Sequence, residues 1–253
     1  MSRLLAAAFL PLVLTSGCVN TGASNDPEIP DELVRRSVQA MSLATLVGAE
    51  LGTAISAPPE GFGACPSSTQ DGDSWTFTYG LEGCVPSSGL TEQTMVGLIE
   101  VTVAEGSGAF IGSVTEMGVG VSLLSGAITG NTSVAGDLLQ ADLDLTAGTW
   151  MREAASFEFA GFLELTGTAE EVSLFVDGAE MVGTESILRI DVADSVTPRE
   201  GLRACTVPAA GSMTLARDTS RADLTFSPDS HASGNVTASF SDREPAPVTV
   251  CTD

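Results

Sequence analysis

The spacing of hydrophobic residues changes once along the chain, from a helical period to a period of two. Over residues 31–57, apolar side chains recur at steps of three and four, as on one face of an α-helix. Asp31 stands at a suitable N-cap position, and the helix must end before Pro58 and Pro59 because proline cannot continue it. So apolar a helix needs a large surface to cover it, and we predict that it packs on a β-sheet.

A helix lying on a membrane surface is the alternative for residues 31–57. Such helices are usually rich in Lys or Arg on their polar face, whereas Arg35 and Arg36 are the only cations here. The sequence therefore favours a helix that packs on a sheet.

From residue 60 onward the apolar residues alternate with polar ones. About ten or more such segments are separated by Gly, Asn, Asp, Ser and Pro, with hairpin-type turns at Asp71-Gly72 and Asp177-Gly178. No helical pattern of useful length separates them, which argues against parallel βαβ units. We therefore predict an all-β domain over residues 58–253, built as an antiparallel meander, a sandwich or a strongly curved sheet, with the N-terminal helix packed on it.

Parts of the strand region resemble one another. Residues 97–102 match residues 161–166, and two later segments repeat in the same order. A duplicated meander, with copies at 95–147 and 159–194, is one explanation. Chance similarity between simple strand sequences is the other, and the sequence leaves both open.

The first 18 residues have the layout of an export signal. Arg3 precedes an apolar run that is too short to span a bilayer, which takes about 20 apolar residues. The stretch Thr15-Ser16-Gly17-Cys18 then resembles the lipobox of bacterial lipoproteins, although Thr15 stands where that family usually has Leu. The resemblance implies removal of residues 1–17 and attachment of acyl chains, palmitate among them, to Cys18. An ordinary signal peptide cut nearby, leaving a free thiol, is the alternative.

This resemblance implies a membrane-anchored protein. Two or more acyl chains hold a protein stably on a membrane, so Cys18 would be the contact with the bilayer. Val19 replaces the Asp that retains some lipoproteins in the inner membrane, so the outer membrane is favoured. Residues 18–30 read as a tether reaching roughly 20 Å. The β-rich body is similar to uncharacterised envelope lipoproteins, a likeness that implies no activity.

The other four cysteines are predicted to form disulfides. Setting Cys18 aside leaves an even number in a chain that would meet an oxidising compartment. Three pairings are open, and we favour Cys65 with Cys84 and Cys205 with Cys251, because each closes one local block. A zinc site is not predicted, since no Cys-x-x-Cys spacing is present and the chain has one histidine.

Charge and composition exclude several classes of function. The formal net charge of −23 repels nucleic acid, so no nucleic-acid partner is expected. The chain has no lysine, which excludes a Walker phosphate loop, a Schiff base and a Ser-x-x-Lys nucleophile. His231 lies in a polar, turn-like segment and the chain has no Gly-x-Ser-x-Gly elbow, so we expect an exposed loop residue, not a general base. No cofactor is predicted.

Acidic pairs are the remaining candidates for chemistry. Asp142 and Asp144 share one face of a predicted strand, and similar pairs occur at residues 71 and 73 and at residues 191 and 194. They could contribute to a calcium site or to a two-carboxylate hydrolase. A solvated polar face is favoured, because no complete calcium-loop spacing is present and aromatic residues make up only 5% of the chain.

Three functions follow from these patterns, in order of preference. The first is a non-catalytic, lipid-anchored envelope protein that acts as a structural or interaction module with an envelope protein as partner. The second is a carrier of lipid or another apolar ligand, which needs an apolar cavity inside a curved sheet. The third is a carboxylate-dependent hydrolase, which needs two carboxyls about 5 to 9.5 Å apart in a cleft.

Overall fold

The computed structural model describes residues 28–56, 65–104, 108–135, 138–152, 155–183, 187–199 and 202–251. One long helix, α1, covers Asp31–Ser56, as the sequence predicts, and a short helix, α2, covers Pro228–Ser233. The remaining elements are strands: β1 Ser67–Asp71, β2 Ser74–Cys84, β3 Met95–Val103, β4 Ala109–Val119, β5 Ser122–Ala135, β6 Leu138–Arg152, β7 Ala155–Gly167, β8 Glu171–Val182, β9 Ile187–Pro198, β10 Ala210–Arg217, β11 Ser220–Thr225, β12 Asn235–Phe240 and β13 Ala246–Thr249.

The strands form one antiparallel meander, which confirms the predicted all-β class with one N-terminal helix. Each strand pairs with the next along the chain, so the sheet order runs from β1 to β13 and the sheet is not closed. Along β6, Leu143 and Leu145 are buried, while Asp142 and Asp144 face outward. This alternation gives the sheet one apolar inner face and one polar outer face.

A row of bulges crosses the middle of the sheet. Every pairing from β2–β3 to β9–β10 contains a register shift, and bulges of this kind bend strands and increase their twist. Gly97 shows the crowding at this row: it has a φ of 109°, and a Cβ there would lie 2.6 Å from the carbonyl oxygen of Glu116. Because these bulges bend the strands, the sheet can curl around a single helix.

Helix α1 lies inside the curled sheet. Residues 37–52 are buried without interruption, which covers every side of the helix, and α1 contacts β4 to β8 and β13. Its length and composition would also suit a membrane span, but most of its residues are buried within the sheet. It is therefore the core of the fold, in keeping with the prediction that it packs on a sheet.

The two ends of the sheet can be told apart by where α1 begins and ends. At the upper end, marked by residues 120–121, 217–220 and 240–246, the even-numbered strands finish; Arg217 and Arg243 bond to residues 28–31 there. At the lower end, marked by residues 71–74, 167–171 and 225–235, the odd-numbered strands finish. Ser56, the last residue of α1, bonds Thr132 near this end. The helix therefore crosses the sheet from the upper end to the lower end.

Both favoured cysteine pairings are confirmed. Cys65 and Cys84 have Cα atoms 5.9 Å apart, and Cys205 and Cys251 have theirs 5.7 Å apart, with the sulfurs bonded in each pair. The first pair joins the segment before β1 to the end of β2. The second joins the β9–β10 connection to the residue that follows β13 by two positions.

The similar segments at 97–102 and 161–166 lie in β3 and β7. The next matching segments lie in β5 and β8. Within the first copy, β4 therefore separates β3 from β5, whereas in the second copy β7 and β8 are neighbours in the sheet. The matching segments therefore occupy non-equivalent positions, and the duplication stays a prediction from sequence.

Candidate functional site

Helix α1 has a stripe of polar side chains on the side opposite its two glycines. Gln39, Ser42 and Glu50 fall within about a quarter of the helix circumference at 3.6 residues per turn. Gly48 and Gly52 point the other way, toward β6 and β7, where a Cβ on Gly48 would come within 2.8 Å of Leu side-chain carbons. One side of α1 is therefore shaped for close packing and the other for hydrogen bonding.

The polar stripe faces three segments that follow β2, β9 and β13. We call these segments together the seam and define it by residues 85–94, 202–209 and 250–251. The Ala204 N–H donates to Oε1 of Gln93 at 2.9 Å, so two of these segments are bonded to each other. The Cys205–Cys251 bond joins the segment 202–209 to the segment 250–251.

Two residues of the stripe bond to backbone groups of the seam. Nε2 of Gln39 donates to the Val250 carbonyl oxygen at 2.7 Å. Oγ of Ser42 donates to the Arg203 carbonyl oxygen at 3.0 Å and accepts from the Thr206 N–H at 2.7 Å. These bonds satisfy the buried side chains of Gln39 and Ser42, and they fix the seam on the helix.

Glu50 is the most unusual residue of the stripe, because its carboxyl is almost fully buried. Its relative exposure is 1%, and that of its neighbour Tyr79 on β2 is 2%. The Ser88 hydroxyl donates to Oε1 of Glu50 at 2.5 Å, and the Tyr79 hydroxyl donates to Oε2 at 3.3 Å. Glu50 thus joins the helix, one strand and one segment of the seam.

Burial dominates the electrostatics of this cluster. It raises the pKa of Glu50 to about 7, because the charged form loses its hydration, while the hydroxyls of Ser88 and Tyr79 and the charge of Arg199 act in the opposite direction. Burial, and then the neighbouring Glu50, also raise the pKa of Tyr79 above its ordinary range. The cluster therefore exchanges a proton near neutral pH.

The arrangement around Glu50 is suited to holding the seam on the helix. Among the described residues, the groups hydrogen-bonded to Glu50 are two hydroxyls, whereas a glycosidase would need a second carboxyl beside it. Within the same residues, no group of three His, Cys, Asp or Glu side chains is placed to hold a metal ion. What the geometry can do is hold the seam on α1 with a strength that depends on pH.

The acidic pairs singled out in the sequence lie apart from Glu50. Asp142 and Asp144 are on the outer face of β6, as predicted, and residues 71 and 73 are exposed at the β1–β2 turn. Asp191 accepts a hydrogen bond from the Gly178 N–H at 2.7 Å and forms an ion pair with Arg189 at 3.4 Å. These carboxylates are solvated or tied into local structure.

His231 differs from the expected exposed loop residue. It is half-buried in α2, where Ser227 caps the N-terminus and Pro228 occupies the first turn. Its Nδ1 lies 2.6 Å from the Val207 carbonyl oxygen. The Ser-Pro-Asp start forms a short helix because the capping hydroxyl and the fixed proline φ both favour one. The residue therefore ties the β11–β12 connection to the seam.

Cys18, with the whole of the predicted signal and most of the predicted tether, lies outside the described residues, so its acylation stays a prediction. Glu50 was not singled out from the sequence. The feature that could have identified it is that Glu50 is the one acidic residue in the stretch 37–52, which the fold buries. Its partners Tyr79 and Ser88 lie far along the chain, so periodicity alone could not bring them together.

The space between α1 and β8 to β10 includes a small cavity of about 10 Å³. Its lining is partly polar, through Ser42, Thr45, Ser195 and Thr197. A cavity of this size admits about one water molecule. It is far too small for an acyl chain.

Comparison with protein-family models, with curated proteins and with solved structures finds no match for this chain. Its function therefore has to follow from its own residues and their geometry.

Proposed function

We propose that the protein is a non-catalytic, lipid-anchored component of the cell envelope, held at the outer membrane by acyl chains on Cys18, that acts as a structural or interaction module. One observation supports this most: α1 fills the inner side of the sheet, with residues 37–52 buried on all sides. A sheet filled in this way presents its outer face, edges and turns to other molecules.

The filled interior weighs against a carrier of apolar ligands. Pockets that hold small molecules occupy about 300 Å³ or more. The cavity beside α1 measures about 10 Å³. A ligand inside the sheet would have to displace a helix that is hydrogen-bonded to the seam through Gln39, Ser42 and Glu50.

The cysteines support export and acylation. Disulfides persist in oxidising compartments, and the four described cysteines form two pairs. Cys18 is then the odd cysteine of five. One unpaired cysteine followed by two disulfides is the pattern expected of a lipobox cysteine at the start of an exported, disulfide-bonded protein.

The outer face offers a surface for a protein partner. Phe162 on β7 and Phe175 on β8 are both exposed and occupy diagonal positions, since Phe162 pairs with Asp177 and Glu164 pairs with Phe175. On its other side Phe162 pairs with Asp144. Two phenylalanines surrounded by carboxylates suit a partner with apolar residues flanked by basic ones.

Intact-mass analysis of the protein purified from membranes tests the anchor. The expected chain begins at Cys18, is heavier by its acyl groups and has no free thiol. Cys18→Ala is the control and should leave the membrane fraction. A mature chain that begins elsewhere, or an unmodified Cys18, would remove the anchor and the outer-membrane location together.

Cross-linking in intact cells tests the partner surface. A partner joined to the wild-type protein should be lost from the Phe162→Ser, Phe175→Ser double variant. Ile111→Ser is the matched control, because Ile111 is an exposed apolar residue on a distant strand, β4. Equal cross-linking by all three proteins would exclude the phenylalanine pair as the interface.

A further inference from the structure

The first strand of the sheet, β1, has one side that no other strand covers. Because the sheet is not closed and its order begins at β1, this strand pairs with β2 alone. Of its residues, Ser67–Asp71, all but Ser68 are exposed. β1 is therefore an open edge of the sheet.

The hydrogen bonds of β2 show which backbone groups of β1 point outward. The Val103 N–H donates to the Asp73 carbonyl oxygen at 3.0 Å, so residue 73 faces β3. Since backbone groups alternate along a strand, Ser74 and every second residue after it face β1, and their partners are the odd-numbered residues of β1. Ser68 and Gln70 thus direct two N–H and two carbonyl groups away from the sheet. Among the described residues, no hydrogen bond reaches these four groups.

The opposite edge of the sheet, β13, is protected by proline. The Val250 N–H donates to the Gly234 carbonyl oxygen at 2.9 Å, so Val248 also faces β12, while Pro247 and Thr249 face outward. Proline has no N–H to offer, and a proline on an edge strand hinders pairing with another strand. β1 contains neither a proline nor a bulge. The sheet therefore blocks one of its edges and leaves the other able to pair.

The sequence of β1 is suited to pairing with a second copy of itself. A two-fold antiparallel pairing centred on Thr69 places Ser68 of each copy opposite Gln70 of the other, which gives four backbone hydrogen bonds. Thr69 then meets Thr69 of the second copy, and cross-strand threonine pairs are stabilising. Asp71 meets Ser67, so no like charges are opposed.

Side chains and charge also favour a second copy over a strand from another protein. A foreign strand is selected through pockets for its alternate side chains, whereas β1 carries only Ser, Thr, Gln and Asp. The net charge of −23 makes two copies repel each other. However, residues 65–70 and 74–81 contain no charged side chain, so pairing here brings few like charges together.

We propose that two copies of this chain join edge to edge through β1, as an antiparallel two-fold pair centred on Thr69. This contact is separate from the phenylalanine pair on β7 and β8, and it does not depend on acylation of Cys18. A five-residue edge is small beside standard interfaces, which involve about 20 or more residues a side, so the dimer is weak. Covalent trapping is the suitable way to detect it.

The variant Thr69→Cys provides the trap. In a non-hydrogen-bonded antiparallel pair the Cα atoms lie about 4.5 Å apart, which a disulfide can span. The full-length protein, purified in detergent, is oxidised with diamide and analysed by non-reducing electrophoresis. Wild-type protein gives the background from Cys18. Thr237→Cys is the matched control, because Thr237 is an exposed threonine on β12, beside the protected edge.

We expect a disulfide-linked dimer from Thr69→Cys that increases with salt, because salt screens the repulsion, and only background from Thr237→Cys. Adding Gln70→Pro to Thr69→Cys removes one outward N–H from each copy, which should weaken dimerisation roughly tenfold or more. Gln70→Ala keeps that N–H and should preserve the dimer. Urea denaturation checks that the proline variant folds, and Ser68→Pro, which removes the other outward N–H, repeats the test.

Three results would overturn the proposal. Equal trapping by Thr69→Cys and Thr237→Cys would mean that the copies meet only by random collision. Trapping that survives both proline substitutions would mean that the backbone of β1 does not form the contact. In isolated membranes, adducts of Thr69→Cys with other proteins in place of the dimer would assign the edge to a foreign strand.

Discussion

The two sides of α1 are held by different physical means. Toward β6 and β7 the helix presents Gly48 and Gly52, and the contact is one of shape, with leucine side chains filling the space a Cβ would occupy. Toward the seam it presents Gln39, Ser42 and Glu50, which are held by hydrogen bonds. We therefore expect the stability contributed by the sheet side to depend on side-chain volume, and the stability contributed by the seam side to depend on pH and on single polar groups.

The largest effect is expected from Gly48→Leu on the sheet side. A Cβ alone at this position meets carbons of Leu143 and Leu165 at 2.8 Å, so a leucine forces β6 and β7 away from the helix. Overpacking costs typically 1–3 kcal/mol and sometimes more, and we expect a loss of about 3 kcal/mol or more in the free energy of unfolding. Urea denaturation measures it.

Gly48→Ala provides the graded comparison for this prediction. It adds a single methyl group and gains about 1 kcal/mol of helix propensity, so its net cost should be smaller than that of Gly48→Leu. A wild-type denaturation midpoint for Gly48→Leu would show that the helix does not pack closely on β6 and β7.

The next effect is the pH dependence contributed by Glu50 on the seam side. Its folded-state pKa of about 7 lies above the ordinary value of 4.5, so the folded state binds the proton more tightly than the unfolded state. This stabilisation is complete below about pH 4.5 and is lost as pH rises through 7, which amounts to roughly 3 kcal/mol. Glu50→Gln removes the titrating group and should flatten the profile of unfolding free energy by about that amount.

Denaturation at a series of pH values compares wild type with Glu50→Gln. The matched control is Glu100→Gln, which changes the net charge equally but neutralises an exposed carboxylate on β3. Parallel profiles for wild type and Glu50→Gln would mean that the Glu50 carboxyl is hydrated in solution and does not fasten the seam.

A smaller effect is expected from Ser42→Ala. The variant leaves the Thr206 N–H without its partner and the Arg203 carbonyl with only the Thr206 hydroxyl at 3.4 Å, which should cost about 1–2 kcal/mol. Ser37→Ala is the control, because Ser37 is equally buried in α1 but bonds only the Leu33 carbonyl of its own helix. Thermal unfolding of the two variants should differ by that amount, and equal stabilities would argue against the seam bonds.

The smallest effect is expected from Tyr79→Phe. It removes one long hydrogen bond of 3.3 Å, so the loss in unfolding free energy should be about 1 kcal/mol or less. Because that bond lowers the pKa of Glu50, its loss should move the pH dependence to higher pH. An unchanged pH profile would place Tyr79 outside the cluster.

The sequence predicted the parts of this fold that depend on local pattern. The helix at 31–57 followed from its period and its prolines, and the strands from alternation. The pattern could not choose the curled sheet from among the three forms predicted for the strands, because several bulges occur at residues with no special signature, such as Glu116, Ala147 and Asp194, each with a positive φ. Glu50 escaped prediction because an isolated acid is expected at a surface, and its partners come from distant turns.

Hydrogen exchange tests most directly whether α1 permanently fills the sheet. The full chain is followed by mass spectrometry alone and with added fatty acid. We predict that the amides of residues 37–52 are among the slowest to exchange and that fatty acid leaves them unchanged. Faster exchange in these residues on adding fatty acid, while the strands stay protected, would show that α1 gives way to a ligand and that the protein is a carrier.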